Sequence, residues 1–166
     1  MRRRDFLFGG AGAVALAGGG AAIGLTRTTR DAAAAGEAFE VTRTAAEWQA
    51  LLGPERYAVL RNEHTEEPNS SPLNDEHRAG IFHCAGCDLP VYSSAAKYES
   101  GTGWPSFWES LPDAIGTRTD RSFFMERIEC HCRRCGGHFG HVFDDGPPPT
   151  GKRHCLNGLA LTFVPA

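Results

Sequence analysis

The chain has 166 residues, 41% of them hydrophobic, and a formal charge of -3 from 17 Lys and Arg against 20 Asp and Glu. That length holds one domain with a modest core. The acidic balance, with no basic stripe, argues against a surface that tracks a nucleic-acid backbone.

Residues 1–35 differ in composition from the rest. Arg2, Arg3 and Arg4 precede Asp5, Phe6 and Leu7. An uncharged run from Phe8 to Leu25, mostly Gly and Ala, follows, and Arg27, Arg30 and Asp31 lead into Ala32–Ala35. Charged, then apolar, then small residues is the order of an export signal. The stretch R-R-D-F-L resembles the twin-arginine signal, a route that carries proteins already folded. The expectation is a signal over residues 1–35, cut after Ala35, a domain over residues 36–166, and a periplasmic or other extracytoplasmic location. The alternative is a permanent anchor, since the run is about long enough to cross a bilayer. Its Gly and Ala make it a poor span, and any membrane contact would be through this segment alone. Losing residues 1–35, with their five Arg and two Asp, takes the formal charge from -3 to -6.

After Thr44, the stretch A-A-E-W-Q-A-L-L-G predicts a short helix with Trp48, Leu51 and Leu52 on one face, stopped by Gly53-Pro54. Glu55–Arg61 reads as a second helical piece. Residues 62–80, with Pro68, Ser70, Ser71, Pro72, Asn74 and Gly80, read as a loop. Short strands are expected at Gly80–His83, Leu89–Tyr92, Phe123–Cys132 and Leu159–Val164. With no internal repeat and no long amphipathic helix, the prediction is a small, mainly antiparallel β domain with short N-terminal helices.

Cys84-Ala85-Gly86-Cys87 and Cys132-Arg133-Arg134-Cys135 each have the spacing of a metal knuckle, in which a tight turn points two sulfurs at one ion. Gly86 and Gly136 are expected to supply the turn freedom. Four thiolates in a tetrahedron make a structural zinc site, one per chain, closed to substrate. Disulfides are the alternative in an oxidising compartment. Cys130, two residues before Cys132, is a further candidate ligand, although C-x-x-C spacing favours Cys132 with Cys135.

Cys155 stands apart in R-H-C-L-N. On a strand, Arg153, Cys155 and Asn157 share one face, and a nearby guanidinium favours a thiolate. The alternative is a buried core cysteine. In G-H-F-G-H-V-F-D-D-G, His138 and His141 would face opposite ways on a regular strand. Gly140 between them permits a bulge that brings both to one side. Two readings are open there, a second metal or proton donors for Cys155.

Together C-A-G-C, S-G-T-G-W-P-S-F, C-x-x-C, G-H-F-G-H-V-F-D-D-G-P and R-H-C-L-N, in that order, resemble the methionine-R-sulfoxide reductases of type B. The resemblance runs from about Trp48 to Phe163. It implies two small antiparallel sheets, a zinc on Cys84, Cys87, Cys132 and Cys135 far from the active cysteine, and Cys155 as nucleophile. His138 and His141 would be proton donors or water-holders, with Asp145 in the same network. Arg153 would stabilise the thiolate, Asn157 would orient groups or water, and Trp104 and Phe143 would bind substrate. The implied partners are oxidised proteins or peptides and a thioredoxin-like or other thiol reductant, acting on a monomer. Two positions depart from the family pattern. Thr102 stands where many members carry a resolving cysteine, which leaves an external thiol or Cys130 for that step. Gly158-Leu159-Ala160 replaces a serine and smaller residues. The competing functions are a zinc-knuckle binding module, which would not need Arg153, Cys155 and Asn157, and a thiol enzyme acting on another small sulfur or aldehyde adduct.

Overall fold

Thr44 starts the first regular element of the computed structural model, which describes residues 38–122 and 125–166. Its side chain accepts from the Glu47 amide at 3.3 Å while the Glu47 carboxylate accepts from the Thr44 amide at 2.8 Å, closing both ends of a capping box. Helix α1 spans Ala45–Asn62 and is broken at Gly53, whose φ of 70° and ψ of 174° are not helical. It is therefore two helical pieces meeting at Gly53-Pro54, as the sequence suggested. The inward face differs from expectation. Trp48 and Leu52, one turn apart, are buried with Val59 and Leu60, while Leu51 is 53% exposed. It sits about 100° around the helix from Leu52, too far to share that contact.

Among the described residues nine strands follow, all paired antiparallel. The smaller sheet has the order β2-β1-β9, with β1 at Gly80–Cys84, β2 at Pro90–Ser93 and β9 at Leu161–Pro165. The larger has the order β3-β4-β8-β7-β6-β5. Its strands are β3 (Lys97–Tyr98), β4 (Ser106–Phe107), β5 (Ile115–Asp120), β6 (Arg127–Cys132), β7 (His138–Phe143) and β8 (Arg153–Leu156). The described residues are thus mainly β, with two antiparallel sheets and one α-helix.

Two strand starts move furthest from expectation. β6 starts at Arg127, and Phe123 and Phe124 lie outside the described residues. Leu159 sits in a 3-10 turn at Gly158–Ala160, so β9 starts at Leu161. The expected signal segment, with its cleavage site, also lies outside the described residues. Among the described residues no helix is long and apolar enough to cross a membrane.

The core joins the sheets through aromatic rings. Phe82 of β1 meets Phe107 of β4 edge-on at 5.0 Å, and Tyr92 of β2 lies 4.6 Å from the same ring. Phe139 of β7 and Leu156 of β8 are fully buried beside them. His154 faces this core, and its Nδ1 lies 3.0 Å from the Tyr92 hydroxyl. Burial, and then the charge of Lys152, push the imidazole down to about 4 from its ordinary 6.5.

The folded protein therefore takes up a proton at His154 less readily than the unfolded chain. Its contribution to stability is complete above about pH 6.5 and is lost as the pH falls from there towards 4. Urea unfolding at pH 7.5 and pH 5 should show a loss of stability that is smaller in His154→Gln; an equal loss in both proteins would refute it.

Candidate active site and four-cysteine cluster

Alternation along β8 sets the site. His154 and Leu156 turn into the core, and Arg153 and Cys155 turn to the more open face. Cys155 lies opposite Ser106 of β4 on one side and His141 of β7 on the other. His141 lies opposite Glu129 of β6, and Glu129 opposite Arg118 of β5. Directly paired residues project to the same side of a sheet, so these side chains form one row.

The bulge foreseen around Gly140 is present. His131 pairs with His138 and Cys130 with Gly140, so Phe139 is an extra residue in β7. The His138 and His141 rings then lie 5.5 Å apart. A Cβ on Gly140 would sit 2.1 Å from the Cys155 carbonyl oxygen, so only glycine lets β7 approach the cysteine this closely.

Two carboxylates that the sequence reading did not single out hold the imidazoles. Glu129, 2% exposed, takes His138 Nδ1 at 2.8 Å, His131 Nδ1 at 3.2 Å and Arg118 Nε at 2.6 Å. Burial works to raise its carboxyl, but the two imidazole hydrogen bonds and the Arg118 charge outweigh it and hold it at about 2. Asp120 takes His141 Nε2 at 2.9 Å, the Ser122 amide at 2.8 Å and Arg127 Nη2 at 2.6 Å. These bonds, Ser122 first, hold its carboxyl well below the usual range. Burial pushes His141 below its ordinary value, against the pull of Asp120.

Asp145 is not in this network, which corrects the grouping drawn from the sequence. It lies in the turn after β7 that leads back to β8, and both its oxygens accept from Arg153, at 2.8 and 2.9 Å. The Arg153 guanidinium lies over the Phe143 ring at 4.3 Å.

A cavity of about 150 Å³ is lined by Cys155, His141, Phe143, Trp104, Arg127 and Asn157, among others. His138 stands behind it, 2% exposed and fixed on Glu129. Asn157 falls just past the end of β8; its Nδ2 donates to the Phe139 carbonyl at 3.0 Å and its Oδ1 accepts from the Glu66 amide at 2.9 Å. Trp104 Nε1 donates to the Glu66 carbonyl at 3.1 Å, and the Glu66 carboxylate accepts from the amides of Gly158 and Leu159 at 2.6 and 2.9 Å. Thr102 Oγ1 lies 3.7 Å from Cys155 Sγ. A larger groove of about 990 Å³ runs beside α1 and the loop after it, but no cysteine or other strong nucleophile lines it.

The sequence reading thus missed Glu66, Asp120, Arg127 and Glu129. The signal for two of them was the alternation R-I-E-C-H-C, which puts Arg127, Glu129 and His131 on one side of β6 and Cys130 and Cys132 on the other. Asp120 and Glu66 carried no such signal.

At the other end of β6, the sulfurs of Cys84, Cys87, Cys132 and Cys135 all lie within 4.8 Å of one another. Cys84 and Cys135 are 3.7 Å apart, and Cys87 and Cys132 3.5 Å. A disulfide needs about 2.05 Å, whereas four sulfurs about 2.3 Å from one zinc stand about 3.8 Å apart. The donor set and its spacing therefore suit a zinc site. Cys130 is outside it, buried and turned towards Tyr92. The knuckle turns differ from expectation in one detail. Gly136 takes a φ of 67°, but in the first knuckle the matching left-handed residue is Asp88, at 58°, and not Gly86.

The SelR domain family matches residues 52–165. The chain belongs to that family. Three relatives, each named peptide methionine sulfoxide reductase MsrB, set the scale of similarity. The protein of Thiobacillus denitrificans is 49% identical over 124 residues, 74% of this chain and 94% of its own length. That of Methanosarcina barkeri is 48% identical over 124 residues, 74% of this chain and 87% of its own length. That of Thioalkalivibrio sulfidiphilus is 51% identical over 116 residues, 69% of this chain and 85% of its own length. In this SelR domain the four-cysteine cluster and the Cys155 cavity are separate places. Cys132 is three residues along β6 from the Cys155 row and two strands across, roughly 14 Å by strand geometry.

Proposed function

We propose that this SelR domain reduces methionine-R-sulfoxide in oxidised proteins and peptides to methionine, by thiol chemistry at Cys155. The observation that carries the reading is a partly exposed cysteine in a cavity walled by Trp104 and Phe143, with His141 beside it, in a chain 49% identical to a peptide methionine sulfoxide reductase. Methionine oxidation makes a flexible apolar side chain polar and chiral, and its reversal is protein repair.

The Cys155 thiolate attacks the sulfoxide sulfur. The sulfoxide oxygen takes a proton, passes to Cys155 and leaves a sulfenic acid there, while methionine departs with its sulfur reduced by two electrons. His141 has Nε2 committed to Asp120, so its other nitrogen is the one available to the cavity, where it holds water or moves the proton to the oxygen. His138, Arg153 with Asp145, and Asn157 position the groups around it. The Trp104 indole takes the methyl group. Exchanging methyl and oxygen puts a polar group against that indole, which selects the R epimer.

One external thiol then displaces the sulfenic hydroxyl as water, and a second releases Cys155 as a thiol with formation of a disulfide. A thioredoxin-like or other thiol partner fits this better than Cys130, which is fully buried on the core face beside Leu156 and Gly140. Cys84, Cys87, Cys132 and Cys135 would hold one zinc per chain, which joins the end of β1 to the end of β6 and takes no part in the reaction. The protein acts as a monomer, and residues 1–35 direct export by the twin-arginine route.

Each part has its own measurement. With dithiothreitol, the R epimer of a methionine sulfoxide peptide should be reduced and the S epimer not, and Cys155→Ser should lose the activity; folded, zinc-loaded protein that reduces neither would overturn the assignment. Metal analysis should find about one zinc per chain, lost in Cys84→Ser; well-folded metal-free protein would sink the structural zinc. Changing Arg3 and Arg4 to Lys should block export of the full chain, and unchanged export would refute the signal.

A further inference from the structure

The loop Gly101-Thr102-Gly103 brings a hydroxyl to Cys155. Gly103 has a φ of 94°, and a Cβ there would come 2.9 Å from Pro68, so glycine lets the loop fold tightly enough to place Thr102 over the sulfur. Thr102 Oγ1 lies 3.7 Å from Cys155 Sγ and 2.8 Å from Ser100 Oγ. Ser100 Oγ lies 2.7 Å from Ser106 Oγ, and Ser106 can also donate to the Trp104 carbonyl at 3.2 Å. Ser106 is 1% exposed and stands directly opposite Cys155 in the β4–β8 register. Three hydroxyls thus run in a chain from the strand beside Cys155 back to its sulfur.

Each hydroxyl has one proton, which leaves the chain two consistent directions. With a thiol, Cys155 donates to Thr102, Thr102 to Ser100, Ser100 to Ser106, and Ser106 to the Trp104 carbonyl. With a thiolate all three turn round: Ser106 donates to Ser100, Ser100 to Thr102, and Thr102 to the sulfur. Donors in a chain polarise one another, and hydrogen bonds to a charged acceptor are the stronger ones. We propose that Thr102, backed by Ser100 and Ser106, is a catalytic residue of this protein: its hydroxyl donates to the Cys155 thiolate through a reversible three-hydroxyl relay and favours the reactive form of the sulfur.

The relay acts among other groups. Arg153 on the same strand, His141 on β7, Arg127 on β6 and Tyr98 on β3 surround the sulfur or act on it electrostatically. Arg153 is held by both oxygens of Asp145 and His141 by Asp120, so each shares its proton donors with a carboxylate. The Thr102 hydroxyl instead meets the Ser100 hydroxyl and the Cys155 sulfur, and among the described residues no carboxylate draws its proton away.

The proposal rests on Cys155 being the nucleophile, and it is tested without any sulfoxide. Zinc-loaded full-length protein is treated with iodoacetamide, and Cys155 carbamidomethylation is timed by peptide mass spectrometry at pH 7 and pH 10. Thr102→Val, close to isosteric, should slow the reaction at pH 7 by about tenfold and leave the rate at pH 10 nearly unchanged. Thr102→Ser should react like the parent. Equal rates for Thr102→Val and parent at pH 7, an equal drop at both pH values, or a Ser variant as slow as the Val variant would each overturn the relay. Alkylation that follows expectation in a protein that reduces no methionine sulfoxide would instead leave the relay standing and remove the proposed reaction.

Discussion

The register of the six-stranded sheet is the constraint on which the site depends. Ser106, Cys155, His141, Glu129 and Arg118 form one row across β4, β8, β7, β6 and β5. Strand side chains alternate, so a slip of one residue in any of these strands would turn its member of the row towards the other face. The rows on either side of it, Phe107, His154 and Val142 on one and Leu156, Gly140 and Cys130 on the other, pin the register from the core side. Phe107 and Leu156 are fully buried and cannot be exchanged for Cys155 without exposing a large apolar side chain. The chemistry is therefore positioned by the same packing that holds the two sheets together.

His141, in that row, and His138, beside it, have different surroundings, and the difference lies in their carboxylates. A buried carboxylate without partners would cost several kcal/mol. Glu129 meets this with two imidazoles and a guanidinium, and the result is a closed charge cluster beneath the site. His138 belongs to that cluster and is almost sealed from solvent. His141 is held from the side by Asp120, at the end of β5, and keeps contact with the cavity. The bulge at Phe139 brings the rings together, and the two carboxylates then assign one to support and the other to the cavity.

Much of this was legible in the residues, for identifiable reasons. The two C-x-x-C turns are local features with fixed geometry, and their sulfurs converge as the spacing implied. Arg153 and Cys155 share a face because strand alternation needs no tertiary information. Gly140 marked the bulge because a glycine between two histidines on a strand has few other uses. What could not be read was pairing at a distance. Asp145 is close to the histidines in sequence, yet the turn after β7 sends it to Arg153, and the carboxylate that reaches His141 comes from Asp120, 21 positions earlier. Leu51 had the right hydrophobicity for the core but the wrong angle on α1.

Glu66 shows why the loop between α1 and β1 gave no warning. It lies in a polar stretch without periodicity, and all four of its polar atoms are committed. Its amide holds Asn157, its carbonyl holds Trp104, and its carboxylate holds the amides of Gly158 and Leu159. Beside its strand residues, part of the cavity wall is thus three irregular segments, around Thr65, Trp104 and Asn157, tied to one another through Glu66. The two places where this chain departs from the pattern it resembles, Thr102 and Gly158–Ala160, both fall in such segments. At Gly158 the space a side chain would need is taken by Ser71, whose Oγ lies 1.8 Å from where a Cβ would sit, so glycine lets this segment pack against the loop after α1. A cavity built this way can alter part of its wall while the sulfur and its histidines stay where the sheet puts them.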